Sequence, residues 1–283
     1  MKKFDYYRPQ DLREAFRLMS QFGDRARYIA GGTDIIVRMK QKTVQPDALV
    51  SLRGIKALTG FTHNGGLSLG SMTLLRDIER EPVIARDYPI LVESARMLAN
   101  PQVRNVATIG GNLCNAAPSA DCAPPLLVME ARMILEGPDR MREIAADRFF
   151  TGPGETCMDR TEVLKSIHIP KMRNRTGAAF FKTGRVTQDI AIVNAAALLV
   201  MEGKLCRKCR LSVGAVAPTP LRLEKAEKLV EGEQIDPDLL DRVEDLVRET
   251  VKPITDVRST ADYRRALSGV LVKRAIQKTL SSL

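Results

Sequence analysis

The 283-residue sequence predicts an α+β fold with at least two packed domains. The length and a hydrophobic content of 44% are sufficient to bury a substantial core, and such a length favours more than one domain. Short strand and helix patterns alternate up to about residue 170. After a charged segment at 170–177, "PKMRNRTG", long strand patterns are followed by a helical region. This segment is therefore the predicted domain boundary.

Residues 1–55 are predicted to form a first unit that resembles a βαβ motif. Apolar residues recur at helical spacing after Asp11, a typical helix cap, and Gly23 ends the pattern. The predicted elements are a helix at 11–22, strands at 27–30 and 47–52, and a helix at 34–42. The last helix follows the stretch "IAGGTD".

Residues 56–172 are predicted to form a second unit with antiparallel strands. Asn64, Gly65 and Gly66 provide a hairpin turn between two alternating patterns. Farther along, we expect a helix at 89–99 and strands at 131–136 and 163–169.

Residues 173–283 are predicted to form a C-terminal domain, a three-stranded antiparallel sheet plus helices. Three strand patterns fill residues 178–217, with "EGK" as the second turn. The remainder is predicted to be helical, with Asp236 and Pro237 opening one helix and Ser259 capping the last.

Composition narrows the class of protein. The net charge of +10 is spread over many elements, and aromatic residues make up only 5% with no Trp, so a nucleic-acid-binding surface is disfavoured. The N-terminus shows no secretory signal, and the longest apolar run, 190–201, is too short to cross a bilayer. Five cysteines without an export signal indicate reduced thiols. We expect a cytoplasmic protein without membrane insertion.

Motifs for hydrolytic, P-loop or Rossmann chemistry are absent from the sequence. The two histidines, His63 and His168, lie in strand patterns and are interpreted as structural. The pair Cys206 and Cys209 forms a C-x-x-C, but in a regular strand a separation of three sends the thiols to opposite faces. We therefore expect no metal in this chain.

Two glycine pairs are the strongest functional signal. Gly31 and Gly32 are followed by Thr33 and Asp34, and the stretch "TIGGN" at 108–112 repeats the pattern about 80 residues later. Glycines let backbone N–H groups approach a phosphate closely, so two such loops suit a diphosphate. Because a carboxylate is an awkward neighbour for an anion, we expect Asp34 to accept loop N–H bonds or to bind a ligand hydroxyl.

Four longer stretches of the sequence, which include both glycine pairs, resemble those of a known protein family. "AGGTDIIVRMK", "QVRNVATIGGNLCNAAPSAD", "DRFFTGPGET" and "FFKTGRVTQDIAIVNAA" resemble the FAD-binding medium subunit of the molybdenum hydroxylases, the carbon monoxide dehydrogenase and xanthine dehydrogenase group. The resemblance covers essentially the whole chain, including "DVRSTADYRR" near its end.

The resemblance implies a two-lobed FAD-binding fold of the vanillyl-alcohol-oxidase (PCMH) type, with the C-terminal domain closing over the flavin. It also implies the residues that contact the cofactor. These are Tyr28, Ile29, Ala30, Gly31, Gly32, Thr33, Asp34 and Ile35 in a first diphosphate loop, Thr108, Ile109, Gly110, Gly111 and Asn112 in a second, Asn115 close to it, Asp121 near the ribityl or phosphate part of the cofactor, Leu164 and Lys182 at the isoalloxazine ring, and Leu98. Leu98 lies where xanthine dehydrogenases carry an aromatic residue.

The resemblance further implies an electron-transfer role with noncovalent FAD. Electrons would leave the substrate at a molybdenum cofactor on a large subunit, cross two [2Fe–2S] clusters on a small subunit, and reach FAD on this chain. An external acceptor, NAD⁺, quinone, ferredoxin or oxygen, would then take them. A free-standing FAD-dependent oxidoreductase and a basic nucleic-acid-binding module are the alternative interpretations.

Overall fold

The structure is a computed structural model that describes residues 1–172 and 175–283. Its strands are β1 (Asp5–Tyr7), β2 (Ala26–Ile29), β3 (Ala48–Ser51), β4 (Phe61–His63), β5 (Gly66–Gly70), β6 (Arg132–Glu136), β7 (Met141–Ala145), β8 (Phe150–Gly152), β9 (Glu155–Thr156), β10 (Val163–Pro170), β11 (Thr176–Thr183), β12 (Val193–Glu202), β13 (Leu205–Gly214) and β14 (Leu221–Arg222). Its α-helices are α1 (Leu12–Phe22), α2 (Ile35–Lys40), α3 (Leu75–Arg80), α4 (Pro82–Asp87), α5 (Pro89–Met97), α6 (Pro101–Arg104), α7 (Ile109–Cys114), α8 (Ala123–Val128), α9 (Glu224–Val230), α10 (Pro237–Thr250) and α11 (Ala261–Ser281).

A three-stranded parallel sheet, in the order β1-β3-β2, forms the N-terminal part. The predicted strand–helix–strand unit is confirmed, because α2 joins the parallel strands β2 and β3. Asp11 caps α1 by accepting a hydrogen bond from the N–H of Glu14, as predicted. Strand β1 was not predicted, since its three residues are mostly exposed and show no apolar alternation.

A five-stranded antiparallel sheet, in the order β4-β5-β10-β6-β7, forms the central part. The predicted hairpin is confirmed, and Gly65 at its turn has a φ of +70°, which favours glycine. The main hydrophobic core includes buried residues of this sheet together with residues of α3, α5 and α8. Edge strand β7, whose residues are partly or fully exposed, was not predicted.

The C-terminal part contains a four-stranded antiparallel sheet, in the order β11-β12-β13-β14. The predicted meander is confirmed, and the short strand β14 extends it. Helices α10 and α11 contribute to the core that β12 and β13 bury. The predicted boundary between residues 172 and 173 adjoins Arg173 and Asn174, which lie outside the described residues. The division into units 1–55, 56–172 and 173–283 stays a prediction.

Two sequence predictions for the C-terminal part were wrong. Thr260, not Ser259, caps α11, because its hydroxyl accepts from the N–H of Tyr263 while Ser259 pairs with Asp256. The thiols of Cys206 and Cys209 do not lie on opposite faces of β13. The register of β12 against β13 shifts beside Arg207, which is an extra residue in β13, so both thiols are buried in the same core.

A buried arginine joins α11 to the C-terminal sheet. Arg264, only 1% exposed, donates to the carbonyl oxygens of Ile192 (2.6 Å) and Ala215 (3.2 Å) and to Asp256 Oδ1 (2.7 Å). Asp256 also accepts hydrogen bonds from the guanidinium of Arg258, which is the main reason that its pKa is held well below the ordinary value. This carboxylate therefore compensates the charge of an arginine that has lost its hydration.

We expect Asp256→Asn to lower the free energy of unfolding by about 2–4 kcal/mol near neutral pH, because it leaves a buried guanidinium without its counter-ion. A carboxylate with a depressed pKa stabilises the fold above the pKa of the unfolded chain, about 4, and loses that contribution as the pH falls through the folded pKa. Urea denaturation between pH 7 and pH 3 should show a flatter pH dependence for the variant than for the wild type.

Asp262→Asn is the matched control, because Asp262 pairs with Arg265 while its side chain stays 94% exposed. Its urea midpoint should equal that of the wild type. An Asp256→Asn variant as stable as this control would contradict the role given to the ion pair.

Candidate functional site

A cavity of about 530 Å³ is lined by residues from each of the three sheets described above, such as Tyr28, Leu164 and Lys182. Its lining comes from the loop after β2, the loop before α7, the start of β10 and the end of β11. This volume lies within the range of about 300–1,000 Å³ that is usual for cofactor pockets. Residues more than 150 positions apart in the sequence thus contribute to one site.

The first loop, residues 29–34, presents free backbone donors to this cavity. A β-carbon on Gly31 would lie 2.1 Å from the carbonyl oxygen of Val106, so this glycine is required by the approach of another backbone segment. Gly32 has a φ of +83°, which L side chains rarely adopt. Among the hydrogen bonds of the described residues, none uses the N–H groups of Gly32, Thr33 or Asp34 as donors. These groups can therefore bind an anion.

In the second loop, residues 108–112, the first backbone N–H groups donate hydrogen bonds to carbonyl oxygens elsewhere in the chain. Ile109 N donates to Thr73 O (3.1 Å), and Gly110 N donates to Ser71 O (2.8 Å). Thr108 caps α7, since its hydroxyl oxygen accepts from Gly111 N (3.0 Å). A β-carbon on Gly110 would lie 2.5 Å from the β-carbon of Ser71. The two loops are therefore not equivalent, because among the described residues the N–H groups of the second loop have acceptors that those of residues 32–34 lack.

A side-chain hydrogen bond joins the two loop regions. Asn115 Nδ2 donates to Asp34 Oδ1 across 3.2 Å, and the Thr33 hydroxyl lies 3.5 Å from the other oxygen of that carboxylate. Burial raises the pKa of Asp34, while the Thr33 hydroxyl and the charge of Arg38 oppose the rise. The carboxylate thus accepts from an amide side chain, whereas the sequence predicted loop N–H donors or a ligand hydroxyl.

A buried ion pair also borders the cavity. Lys182 Nζ lies 2.5 Å from Asp121 Oδ2 and 2.9 Å from the carbonyl oxygen of Met97, and both charged side chains are only 6% exposed. Asn194 Nδ2 donates to Asp121 Oδ1 (2.9 Å). Burial raises the pKa of Asp121, and the contacts with Lys182 and Asn194 oppose that rise. The pair places a paired ammonium group beside the cavity.

The residues predicted from the sequence are brought together here. All of them except Ile29 and Ile109 line the cavity; those two pack into apolar cores. Tyr28 lines the wall, and its hydroxyl donates to the carbonyl oxygen of Thr161 (3.0 Å). Leu98 and Leu164 add apolar surface near Lys182. That each of these residues contacts the cofactor stays a prediction.

Further lining residues were not predicted as cofactor contacts. Some of them, such as Arg38, Cys114 and Asp189, lie within the stretches that resemble the family, whereas others, such as Val44 and Met72, lie in segments for which the sequence gives no functional signal. These residues are Arg27, Arg38, Val44, Leu52, Ser71, Met72, Ala99, Val103, Ala107, Cys114, Ala117, Ser119, Ala120, Met158, Glu162, Val163, Gln188, Asp189 and Ile190.

The remaining candidates lie elsewhere. His63 lies in β4, with its Nε2 3.3 Å from Oδ2 of Asp87 at the end of α4, and His168 lies in β10. Within residues 1–172 and 175–283, no group of three or more His, Cys, Asp or Glu side chains could hold a metal ion. In the same ranges, no helix is both long and apolar enough to cross a membrane.

Comparison with known proteins identifies the ligand class. The family described as "FAD binding domain in molybdopterin dehydrogenase" matches residues 2–172, and the "CO dehydrogenase flavoprotein C-terminal domain" matches residues 178–279. The carbon monoxide dehydrogenase medium chain of Hydrogenophaga pseudoflava is 33% identical, with 97% of this chain and 96% of that protein covered. A putative xanthine dehydrogenase FAD-binding subunit of Escherichia coli (strain K12) is 30% identical, with 98% and 96% covered.

A solved structure agrees with the sequence comparison. A chain of carbon monoxide dehydrogenase from Hydrogenophaga pseudoflava superposes with a TM-score of 0.97 at 33% identity, covering 99% of this chain and 98% of that chain. The predicted FAD-binding fold of the vanillyl-alcohol-oxidase type with a C-terminal α+β domain is confirmed. The chain therefore belongs to the FAD-binding medium-subunit family of the molybdenum hydroxylases, the oxidoreductase group that includes carbon monoxide and xanthine dehydrogenases.

Proposed function

We propose that this chain holds FAD noncovalently and relays electrons within a molybdenum-containing complex. It receives them from the [2Fe–2S] clusters of a small partner subunit, which draws them from a molybdenum cofactor on a large subunit, and it passes them to an external acceptor. The observation that carries the proposal is a single cavity that is lined both by free backbone donors and by a buried lysine. We expect the assembled complex to be cytoplasmic.

The first loop is suited to the diphosphate. The N–H groups of Gly32, Thr33 and Asp34 have no acceptor among the described residues, and phosphate oxygens are strong acceptors. The glycines also let the loop pack against residues 106–107, which fixes its position. The loop therefore binds and orients the diphosphate through backbone N–H groups, while Asn115 holds the Asp34 carboxylate by a hydrogen bond.

The part of the cavity beside Lys182 is suited to the flavin ring. When bound, FAD exchanges electrons either singly or in pairs, which suits a link between iron–sulfur clusters and a two-electron acceptor. Leu98 and Leu164 provide apolar contact, and Lys182 places a positive charge where reduction adds negative charge. Asp121 and the carbonyl oxygen of Met97 hold that ammonium group in place.

The acceptor can be NAD⁺, a quinone, ferredoxin or oxygen. The substrate of the complex is bound by the large subunit. Because the chain carries an excess of ten positive charges, docking of its partners should weaken as salt screens contacts between exposed charges.

We expect Gly111→Val to weaken FAD binding at least about tenfold while the chain stays folded. A β-carbon at this position would lie 3.0 Å from Thr108 Oγ1 and 3.6 Å from the β-carbon of Ala30, so the larger side chain enters the space between the two loops. The dissociation constant is measured by flavin fluorescence titration, and circular dichroism reports folding. Gly111→Ala is the milder matched variant. A folded Gly111→Val chain with wild-type affinity would contradict the placement of the cofactor.

We expect Lys182→Met to make the flavin harder to reduce. Loss of the positive charge should lower the two-electron midpoint potential by about 30–60 mV, since about 30 mV corresponds to 1.4 kcal/mol for a two-electron couple. A spectroscopic redox titration of the FAD-loaded chain measures the shift. Lys165→Met is the control, because Lys165 pairs with Glu136 on the next strand and does not line the cavity. Equal midpoint potentials for Lys182→Met and the control would contradict the proposal that Lys182 lies beside the flavin ring.

We expect the isolated chain to contain one noncovalent FAD per polypeptide without stoichiometric molybdenum or iron. Dithionite should bleach the flavin, and an artificial acceptor should restore its absorbance. Oxidation of purines, aldehydes, aromatic thioesters or CO should appear only after the large and small subunits are added. Turnover by the lone chain would favour a free-standing FAD-dependent oxidoreductase instead.

A further inference from the structure

Arg104 is a buried arginine whose guanidinium group binds the C-terminal end of helix α5. It is the last residue of α6, is 5% exposed and does not line the cavity. Its Nη1 donates to the carbonyl oxygens of Arg96 (3.2 Å), Leu98 (3.1 Å) and Ala99 (2.8 Å). These groups lie in the last turn of α5 and directly after it, where helix geometry leaves carbonyl oxygens without intrahelical partners. Arg104 therefore fixes the course of the chain where α5 ends.

A carboxylate holds Arg104 in turn. Arg104 Nε donates to Glu79 Oε2 (3.1 Å), and the same oxygen accepts from Arg76 Nη1 (2.9 Å). The side chains of Arg104 and Glu79 are only 6% and 13% exposed. Because a guanidinium group is planar and presents its donors in a fixed fork, one side chain can bind a carboxylate and several carbonyl oxygens at once. Arg104 thus connects the end of α5 to helix α3.

The chain that Arg104 fixes borders the part of the cavity beside Lys182. Leu98 and Ala99 line the cavity, and the carbonyl oxygen of Met97 accepts from Lys182 Nζ (2.9 Å). Ala99 has a φ of +44°, a conformation that residues with a β-carbon adopt only at a cost and that persists where the surroundings hold it. The carbonyl oxygen of this residue makes the shortest of the three bonds with Arg104 Nη1. The position of the Met97 carbonyl group thus depends on Arg104.

We propose that Arg104 is a positioning residue for the flavin, which keeps the Met97 carbonyl oxygen against the Lys182 ammonium group and thereby keeps that positive charge beside the ring. The inference rests on the proposed FAD site. Release of the Met97 carbonyl would leave the ammonium group paired with the Asp121 carboxylate, its other acceptor in the described structure. Its charge would then stabilise the reduced ring less.

Arg104→Met in the FAD-loaded chain tests the inference through the midpoint potential of the flavin. The potential should fall, but by less than in Lys182→Met, because the ammonium group remains and is held by one acceptor fewer. FAD should also bind about 3- to 10-fold more weakly, since Leu98 and Ala99 lose their fixed position at the cavity wall.

The variant is expected to fold, because Glu79 keeps Arg76 as its partner and is not left as an unpaired carboxylate. Arg104→Lys retains the charge but not the planar fork, so it should lower the potential less than Arg104→Met does. It is measured instead if Arg104→Met does not fold.

Arg222→Met is the matched control. Arg222 forms a similarly buried pair with Glu227 (2.7 Å) and donates to the carbonyl oxygen of Leu127 (3.4 Å), but it does not line the cavity. Loss of a buried partner should lower its urea midpoint. Its flavin potential and its affinity for FAD should equal those of the wild type, so a shifted potential reports the position of the charge and not a loss of stability.

A double variant decides whether Arg104 acts through Lys182. In a Lys182→Met background, Arg104→Met should not lower the potential further, because the charge that it positions is gone. The inference is overturned if Arg104→Met, or Arg104→Lys in its place, has the potential of the control, or if the potential falls equally with and without Lys182. A wild-type chain that fails to bind FAD would instead refute the proposed function itself.

Discussion

The close approach of two backbone segments is the constraint on which the site depends. Gly31 faces the carbonyl oxygen of Val106, and Gly110 faces Ser71, at distances that leave no room for a β-carbon. Because these contacts hold both loops against the protein, the free N–H groups of residues 32–34 keep fixed positions at the cavity. The glycines thus allow the loops to pack closely against neighbouring segments. This packing fixes the geometry in which the free N–H groups can bind an anion.

The ion pair between Lys182 and Asp121 extends that constraint to the C-terminal sheet. Asp121 precedes α8, Lys182 lies in β11, and Asn194, opposite Lys182 in the register of β12, donates to the same carboxylate. A buried ion pair contributes little net stability, because desolvation offsets most of the attraction. Removing one partner is nevertheless costly. The pair therefore fixes the position of a charge at the cavity more than it stabilises the fold.

Much of the fold could be predicted because its elements follow regular apolar periods. The unit β2–α2–β3, the hairpin of β4 and β5, and the meander of β11 to β13 all have such patterns. Strands β1, β7 and β14 are short or exposed, so their partners are set by tertiary contacts that no local pattern reveals. Strict alternation along β13 would place Cys206 and Cys209 on opposite faces. The bulge beside Arg207 breaks this alternation, so both thiols are buried in the same core. The glycine loops were visible in the sequence, whereas the free N–H groups of residues 32–34 became apparent only from the hydrogen bonds of the folded chain.

The central claim is that electrons reach the external acceptor through FAD on this chain. A complex reconstituted from this chain and its large and small partners, then depleted of FAD, tests it most directly in a stopped-flow experiment. Addition of substrate should still bleach the iron–sulfur absorbance, while transfer to the acceptor should be lost and should return when FAD is restored. Undiminished transfer to the acceptor by the FAD-depleted complex would contradict the account.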